Sequence, residues 1–221
     1  MGACEASVFV RDCVHTTVVC ATQQFRVRDC LNCHFSLSCE SQPVIESSRG
    51  ITISNFPLLA YRPMEQHMAQ ARITPWNNNW FDIFDFTPNK FNTQNYSLAP
   101  LGPQREKEVT RAIQHQMEKA EVQPDRPLIP RVVGPRDRTV QEFAVLVAHP
   151  VPPPLASEDM PLLQSRVHLV TAEEVRELGV EGLTFEGRAK VLFAKVLRKD
   201  LGRWRGSLQN VLLEVVERER L

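Results

Sequence analysis

The sequence predicts a mainly β protein in which a parallel β-helix at the N-terminus is followed by a linker helix and a small α/β module. Residues 8–13 (VFVRDC) recur seventeen residues later at 25–30 (FRVRDC), with four of the six residues identical. Residues 43–48 continue the same frame eighteen residues further on. A repeat this short cannot bury its own apolar face, so its copies must stack on one another. The charged stretches with a helical period lie in the second half of the chain.

Composition excludes several classes of function. The chain of 221 residues has 26 basic and 26 acidic side chains, so no net field favours nucleic acid. Its apolar runs are far shorter than the roughly 20 residues that cross a bilayer. The start of the chain does not read as a secretory signal, which predicts that the six cysteines are thiols. Lipid anchoring is a weak alternative, because Ala6 stands where a myristoylation motif has Ser or Thr.

The repeat also predicts which side chains of the second coil face the core. Neighbouring residues of a strand point to opposite faces of a sheet. Phe25 and Val27 fall in the inward set, so Arg26 and Arg28 face outward. The register therefore separates packing residues from candidate contact residues.

The two outward arginines have different predicted neighbours. Arg28 shares its column with Glu46 of the next coil, and contact between adjacent rungs would fix the second arginine in place. Arg26 shares its column with Phe9 and Val44 and has no acidic partner there. The sequence thus predicts one paired and one unpaired guanidinium.

The cysteines allow two interpretations. Cys13 and Cys30 occupy the same position in successive coils, which predicts a ladder of small residues at the corner of the β-helix. Cys30 and Cys33 also have the spacing of a zinc knuckle, but a structural zinc site needs a second ligand pair at matching spacing. The ladder is preferred, and no metal is predicted.

Residues 76–88 are dense in aromatics and amides without the period of a helix or a strand. We expect this segment to cover one face or end of the β-helix. Most aromatic side chains fill cores, so Trp76, Trp80 and Phe81 are predicted to be buried.

The second half is predicted element by element, with domain boundaries at 1–100, 101–140 and 141–221. Thr171 and Glu174 form a capping box that opens a short helix ending at Gly179. Apolar residues spaced three and four apart predict a longer helix from Thr184 or Glu186 to about Leu201. The remaining predicted elements are an amphipathic helix over 104–122 and strands over 143–147, 166–170 and 211–216.

The N-terminal motifs resemble those of the tubulin-binding cofactor C domain family. The resemblance covers somewhat under half of the chain and implies a right-handed parallel β-helix. It rests on residues 7–13 (SVFVRDC), 23–30 (QQFRVRDC), 42–48 (QPVIESS), 79–80 (NW) and 85–88 (DFTP), and it ends near 95–98 (NYSL).

In that family the Gln-Gln-Phe-Arg motif supplies an arginine to the GTP site of a partner. The resemblance places Arg26 in this role, with Gln23 supporting it. An arginine finger stabilises charge that develops on the transferred phosphoryl group, and lysine should not replace it. The partner-binding residues that this interpretation predicts are Gln24, Arg28, Glu46 and Phe86.

The family implies partners and a location as well. The partner would be an ADP-ribosylation-factor-like small GTPase in its GTP form, or tubulin, and no cofactor is expected. The location would be the cytoplasm, with a cilium or flagellum, a basal body or an axoneme as the site of action. Two alternatives remain: a non-catalytic scaffold that docks on tubulin or an axoneme through the β-helix face, and a metal-dependent or thiol enzyme.

Two features depart from the family pattern. Several coils normally precede the one that begins here at Ser7, so either the sequence is incomplete or the β-helix has an open lower edge. Residues 143–217 are too few for a complete nucleoside diphosphate kinase-like domain, although a reduced relative with strands at Phe143 and Arg166 is an alternative for residues 141–221. Kinase activity is not predicted, because no loop, histidine and acid constellation surrounds His149 or His168.

Overall fold

The computed structural model describes residues 2–57, 60–88, 94–116, 122–123, 128–129, 132, 143–152, 162–178, 180, 183–197 and 201–207. The predicted fold class is confirmed, because this part of the chain is mainly β and its first half is one curled parallel sheet. The order of strands along this sheet is β7-β4-β2-β3-β5-β8, and β1 pairs with β2. Its strands are β1 (Ala3–Arg11), β2 (Thr17–Arg28), β3 (His34–Cys39), β4 (Val44–Glu46), β5 (Ile51–Asn55), β7 (Phe84–Asp85) and β8 (Tyr96–Leu98).

The backbone repeats with the same period as the sequence. Left-handed φ angles of 53°, 52° and 48° occur at Asp12, Asp29 and Ser47, which are equivalent positions of three successive coils. A second set occurs at His15, Asn32 and Gly50, with φ of 51°, 53° and 64°. Residues with positive φ bend the chain sharply. The two columns therefore mark two corners of the coil, and the predicted repeat is a structural repeat.

The inward side chains form the core of the coils. Phe25, Val27 and Ile45 are almost completely buried, as the register predicted. Phe25 and Phe35 stack with their ring centroids 5.1 Å apart. Burial also raises the pKa of the Cys20 thiol to about 12, so this cysteine packs as a small apolar residue.

A layer of helix covers one outer face of the coils. The short strand β6 (Ala60–Tyr61) leads into α1 (Met64–Gln70), whose buried Met64 and Met68 pack in a second apolar cluster with Ala21 and Phe56. Beyond the coils, α2 (Pro103–Gln116) confirms most of the amphipathic helix predicted for 104–122. Residues 117–121 lie outside the described residues, and the predicted end at Val122 was wrong, because Val122 belongs to a strand. The strand β9 (Val122–Gln123) pairs with β6.

The second half contains a three-stranded antiparallel sheet in which Arg188–Leu197 (β12) lies between β10 and β11. The predicted strands at 143–147 and 166–170 are confirmed within β10 (Phe143–Ala148) and β11 (Leu162–Thr171). The capping box is also confirmed, because Thr171 caps α3 (Ala172–Glu177) and Glu174 returns the bond. The predicted closing strand at 211–216 and the predicted helix end at Gly179 lie outside the described residues.

The helix predicted from Thr184 or Glu186 to Leu201 was wrong. Residues Arg188–Leu197 form β12, the central strand of the sheet, and α4 (Leu201–Ser207) follows it. Leu192 and Val196 face the side of the coils, whereas Val191 and Phe193 face α3. A strand buried on both faces reads as a continuous apolar run, which also satisfies the spacing of a helix.

The segment 74–82 joins the two halves. Trp76 and Trp80 are buried as predicted, whereas Phe81 is only half-buried. The Asn77 side-chain oxygen accepts a 2.8 Å hydrogen bond from the backbone of Val167 in β11, and the Asn78 side-chain oxygen accepts one of 3.1 Å from Cys39 in β3. The amide-rich run is therefore a bridge between the sheets.

Within the described residues, no helix is long and apolar enough to cross a membrane. All six cysteines have free thiols. The domain boundaries themselves remain a prediction.

Candidate functional site

One outward column of the coils gathers the residues around Arg26. The register pairs Phe9 with Arg26, Arg26 with Val44, and Val44 with Phe84. We call these four residues the Arg26 column. The side chains of Phe9 and Phe84 are 52% and 47% exposed, and Val44 is half-buried. An exposed cation therefore lies in a row whose other members are apolar.

Arg26 is held in place through its backbone. Its two chain neighbours, Phe25 and Val27, are buried in the core, and its strand pairs with β1 on one side and β4 on the other. The side chain is exposed. Among the described residues, its guanidinium makes neither a hydrogen bond nor an ion pair. The sequence predicted this outward, unpaired position.

Arg28, two residues further along the same strand, is paired. Its Nε lies 3.2 Å from a carboxylate oxygen of Asp29 and 3.8 Å from one of Glu46. The predicted Glu46 contact is therefore present, and Asp29 adds a second acid that the sequence analysis did not name. These pairs are solvent-accessible and contribute little to stability. Both acids of these pairs contact Arg28, so within the described residues Asp29 and Glu46 are partners of Arg28 and not of Arg26.

Phe86 is fixed by the motif in which it lies. Asp85 accepts a hydrogen bond of 3.0 Å from the backbone N–H of Thr87 and one of 2.8 Å from the side chain of Asn95. The Thr87 hydroxyl accepts a bond of 2.6 Å from the backbone of Ser47. Phe86 itself is 62% exposed. The motif of residues 85–88 thus holds an aromatic ring in solvent, at the edge of the coils.

The two glutamines of the motif lie in different surroundings. Gln23 is half-buried, and its side-chain amide donates a 2.9 Å hydrogen bond to the carbonyl of Ala71. Gln24 is exposed on the same outward face as Arg26, and its side-chain oxygen accepts a 2.8 Å bond from the Ser7 hydroxyl. The structure therefore brings Gln24 onto the face of Arg26, while Gln23 ties the coil to the turn after α1. The role of Gln23 in supporting Arg26 stays a prediction.

Phe84 belongs to the Arg26 column although its sequence pattern does not predict a strand. Phe84–Asp85 forms β7, one rung above β4, within residues 76–88 that lack the period of a strand. Phe84 and Phe86 face each other with ring centroids 6.2 Å apart. The signal was the alternation of outward Phe84, inward Asp85 and outward Phe86, which a two-residue strand makes too short to recognise.

Phe9 has a further contact that the repeat did not predict. The guanidinium of Arg11 lies 5.4 Å from the centre of the Phe9 ring, within the range of a cation–π interaction. This contact brings a second positive charge to the lower end of the Arg26 column.

A second polar cluster lies on another outer face, between β3, β5 and α2. His34 Nε2 lies 2.9 Å from the Ser54 hydroxyl, and Arg105 approaches Nδ1 at 3.4 Å. Arginine can only donate, so Nδ1 accepts and Nε2 carries the proton towards Ser54. Burial and the nearby Arg105 lower the pKa of His34. A histidine in this tautomer cannot act as a base towards Ser54, so the cluster is structural.

The cysteines show no arrangement for binding metal. Within the described part of the chain, no group of three or more His, Cys, Asp or Glu side chains is placed to hold a metal ion. The thiols of Cys30 and Cys33 instead contact backbone carbonyls, those of Arg28 at 3.3 Å and Cys13 at 3.4 Å. The predicted corner ladder is present, since the coils pair at Val14, Leu31 and Arg49 next to these cysteines.

The N-terminal half is similar to known proteins. Residues 1–86 match the family model described as tubulin binding cofactor C. The chain is 44% identical over 82 residues to the protein XRP2 of Danio rerio, covering 37% of this chain and 21% of that protein. It is 31% identical over 131 residues to XRP2 of Gallus gallus, covering 58% of this chain and 36% of that protein.

A plant relative is more distant. The chain is 27% identical over 100 residues to the tubulin-folding cofactor C of Arabidopsis thaliana, covering 45% of this chain and 29% of that protein. The matches therefore span between 21% and 36% of the length of these relatives. Together with the stacked coils, they show that residues 1–86 belong to the tubulin binding cofactor C family.

Proposed function

We propose that this protein activates GTP hydrolysis by a partner, with Arg26 as an arginine finger. The partner is an ADP-ribosylation-factor-like small GTPase in its GTP form, or tubulin. The observation that carries the proposal is the exposed guanidinium of Arg26, which has no acid of its own among the described residues. The family match of residues 1–86 supports a GTP-binding partner.

The physical requirements of an arginine finger agree with this position. The finger must be permanently charged, and its anchor must be rigid, because the charge of the transition state develops at one place. Arg26 satisfies the first requirement by its chemistry. It meets the second through a strand that is paired on both sides and has buried residues before and after it.

The other predicted contact residues surround Arg26 with distinct chemistries. Arg28 and Glu46 form an ion pair on the next outward column, and Gln24 offers an exposed amide. Phe86 supplies an exposed ring. We propose that these residues position the GTPase while Gln23 keeps the coil in register with the turn after α1. The chain itself needs no cofactor for this role.

Single-turnover GTP hydrolysis tests the proposal. A panel of GTP-loaded ADP-ribosylation-factor-like GTPases and tubulin is mixed with wild-type protein, Arg26→Ala, Arg26→Lys and the control Arg49→Ala. Arg49 is also exposed and lies at a corner of the coils, away from the Arg26 column. Loss of an arginine finger costs about 10³-fold or more in the stimulated rate.

The expected result is stimulation by wild type and by Arg49→Ala, with loss of stimulation in both Arg26 variants. Lysine is expected to fail because a compact ammonium lacks the planar fork of guanidinium. Equal rates with wild type and Arg26→Ala across the panel would defeat the proposal.

A non-catalytic scaffold is the second candidate, and the exposed Phe9, Phe84 and Phe86 favour it because apolar patches mark interaction surfaces. Such a scaffold would dock on tubulin or an axoneme whatever the nucleotide state of any GTPase. Capture of tubulin with equal yield in GTP and GDP, without stimulated hydrolysis, would support it.

We propose a cytoplasmic location, at a cilium, flagellum or basal body, for either role.

A further inference from the structure

The surroundings of Arg26 differ from those of an ordinary solvated arginine. Arg28, on the same strand and the same face, lies beside Asp29 and Glu46. Arg26 instead has Phe9 below it and Val44 above it in register. The residues in register with Arg26 on the adjacent rungs are therefore apolar, whereas Arg28 has an acidic residue in register with it.

The Arg26 column is long enough to form a contact surface. Neighbouring strands lie about 4.8 Å apart, so the three steps from Phe9 to Phe84 span roughly 14 Å. Phe86 extends the apolar surface sideways, because its ring pairs with that of Phe84. Exposure of aromatic rings to water is unfavourable, so a partner that covers this patch gains free energy of binding from burying it.

We propose that Phe9 and Phe84 are positioning residues that seal the docked Arg26 from water. The partner that fits this surface has an anionic centre and an apolar rim. The bound polyphosphate of a nucleotide supplies the anionic centre, and apolar side chains beside the nucleotide site supply the rim. This inference rests on the proposed function, because it assigns Arg26 to a phosphate.

Sealing strengthens the action of the guanidinium. A charge interaction becomes several times stronger when water is excluded from around it. Interfaces commonly surround a hot-spot residue with contacts that exclude water. Phe9 lies one rung below Arg26, and Phe84 lies two rungs above it beyond Val44, so apolar side chains flank the guanidinium along the strand-stacking direction.

The test is the single-turnover assay with Phe9→Ala, Phe84→Ala, their leucine counterparts and the control Leu31→Ala. Leu31 is 44% exposed, close to the exposure of Phe84, but it lies at a corner with Val14 and Arg49. The GTPase is the member of the panel that wild type stimulates most. Rates are measured over a range of activator concentrations and at low and high NaCl.

Each alanine variant is expected to lower the rate at saturating activator by about tenfold, equivalent to about 1.4 kcal/mol. Its stimulation should also fall more steeply with NaCl than that of wild type, because an unsealed charge is screened by salt. Leucine should restore most of the rate, since it also excludes water. The Leu31→Ala control should match wild type, and thermal unfolding should show that all variants fold.

The outcomes separate the inference from the proposed function. Loss of stimulation in Arg26→Ala with wild-type rates in both phenylalanine variants would overturn the seal and keep the arginine finger. The phenylalanine variants could instead change only the activator concentration that gives half the maximal rate. In that case Phe9 and Phe84 contribute to binding alone, and the seal is also overturned. Equal rates for wild type and Arg26→Ala would remove the arginine finger itself.

Discussion

The stacked coils and the three-stranded antiparallel sheet differ in how each strand finds its partner. From β1 to β5 of the coils, each strand pairs with its own repeat seventeen or eighteen residues away, so that Phe9, Arg26 and Val44 align. In the second sheet, β12 pairs with two strands that share no repeat with it. A repeat shows both which residues pair between strands and which side chains point into the core. An isolated apolar run shows neither. The facing of individual side chains could therefore be predicted in the stacked coils but not in the three-stranded sheet.

Of the substitutions considered, one in the bridge between the two regions should change the stability of the protein most. Trp80 is fully buried between the sheets, and its indole N–H donates to the carbonyl of Val132. Trp80→Ala removes a large side chain from a packed site and is expected to lower the free energy of unfolding by about 3–5 kcal/mol. Urea denaturation followed by far-UV circular dichroism measures the change.

Phe86→Ala is the matched control, because Phe86 is an aromatic residue of the same stretch of chain but is exposed. It should change the free energy of unfolding by no more than about 0.5 kcal/mol. Hydrogen exchange of the backbone amides in Trp80→Ala then tells whether the coils remain protected when the three-stranded sheet unfolds. A loss below about 1 kcal/mol for Trp80→Ala would contradict the packing described here.

A smaller change in stability is expected from substitutions that distinguish strand from helix at residues 188–197. Lys190 is an exposed residue of β12, and Lys107 is an exposed residue of α2. Threonine is favoured in strands and disfavoured in helices, so the same substitution should act with opposite sign. We expect Lys190→Thr to stabilise the protein by up to about 1 kcal/mol. Lys107→Thr should destabilise it by about 0.5 kcal/mol.

The midpoint of urea denaturation is the measurement for both variants. Destabilisation by Lys190→Thr of the same size as that by Lys107→Thr would mean that residues 188–197 behave as a helix in solution.

The smallest predicted effect concerns pH. Burial lowers the pKa of His34 in the coils and of His168 in the second sheet, and a nearby arginine adds to each shift. A lowered pKa in the folded state means that the unfolded state binds the proton more readily. The stability from the neutral histidine is therefore full above a pH of about 6.5 and is lost as the pH falls through the folded-state pKa.

His34 is half-buried and His168 is exposed, so the coils should be the more sensitive region. Urea denaturation at pH 7.5 and 5.5 should show that His34→Gln reduces the loss of stability on acidification more than His168→Gln does. A larger effect of His168→Gln would reverse the comparison between the regions.

The candidate site was predictable to the extent that it lies on the repeat. The outward position of Arg26 and the contact between Arg28 and Glu46 both follow from alternation and period. Phe84 could not be assigned, because a strand of two residues carries no period of its own. The hydrogen bond from Gln23 to Ala71 was equally beyond reach, since it joins the coil to a turn that only the fold brings near.

The repeat alone was enough to predict the coil period, a corner beside Cys13 and Cys30, and the alternation of buried and exposed residues over 25–28. These depend on contacts between copies of one pattern, which a single chain displays in full. Tertiary structure alone decided that residues 188–197 are a strand, that Asn77 and Asn78 bridge two sheets, and that Phe84 completes the Arg26 column. Each of these depends on a partner surface distant in sequence, and packing against that surface outweighs local propensity.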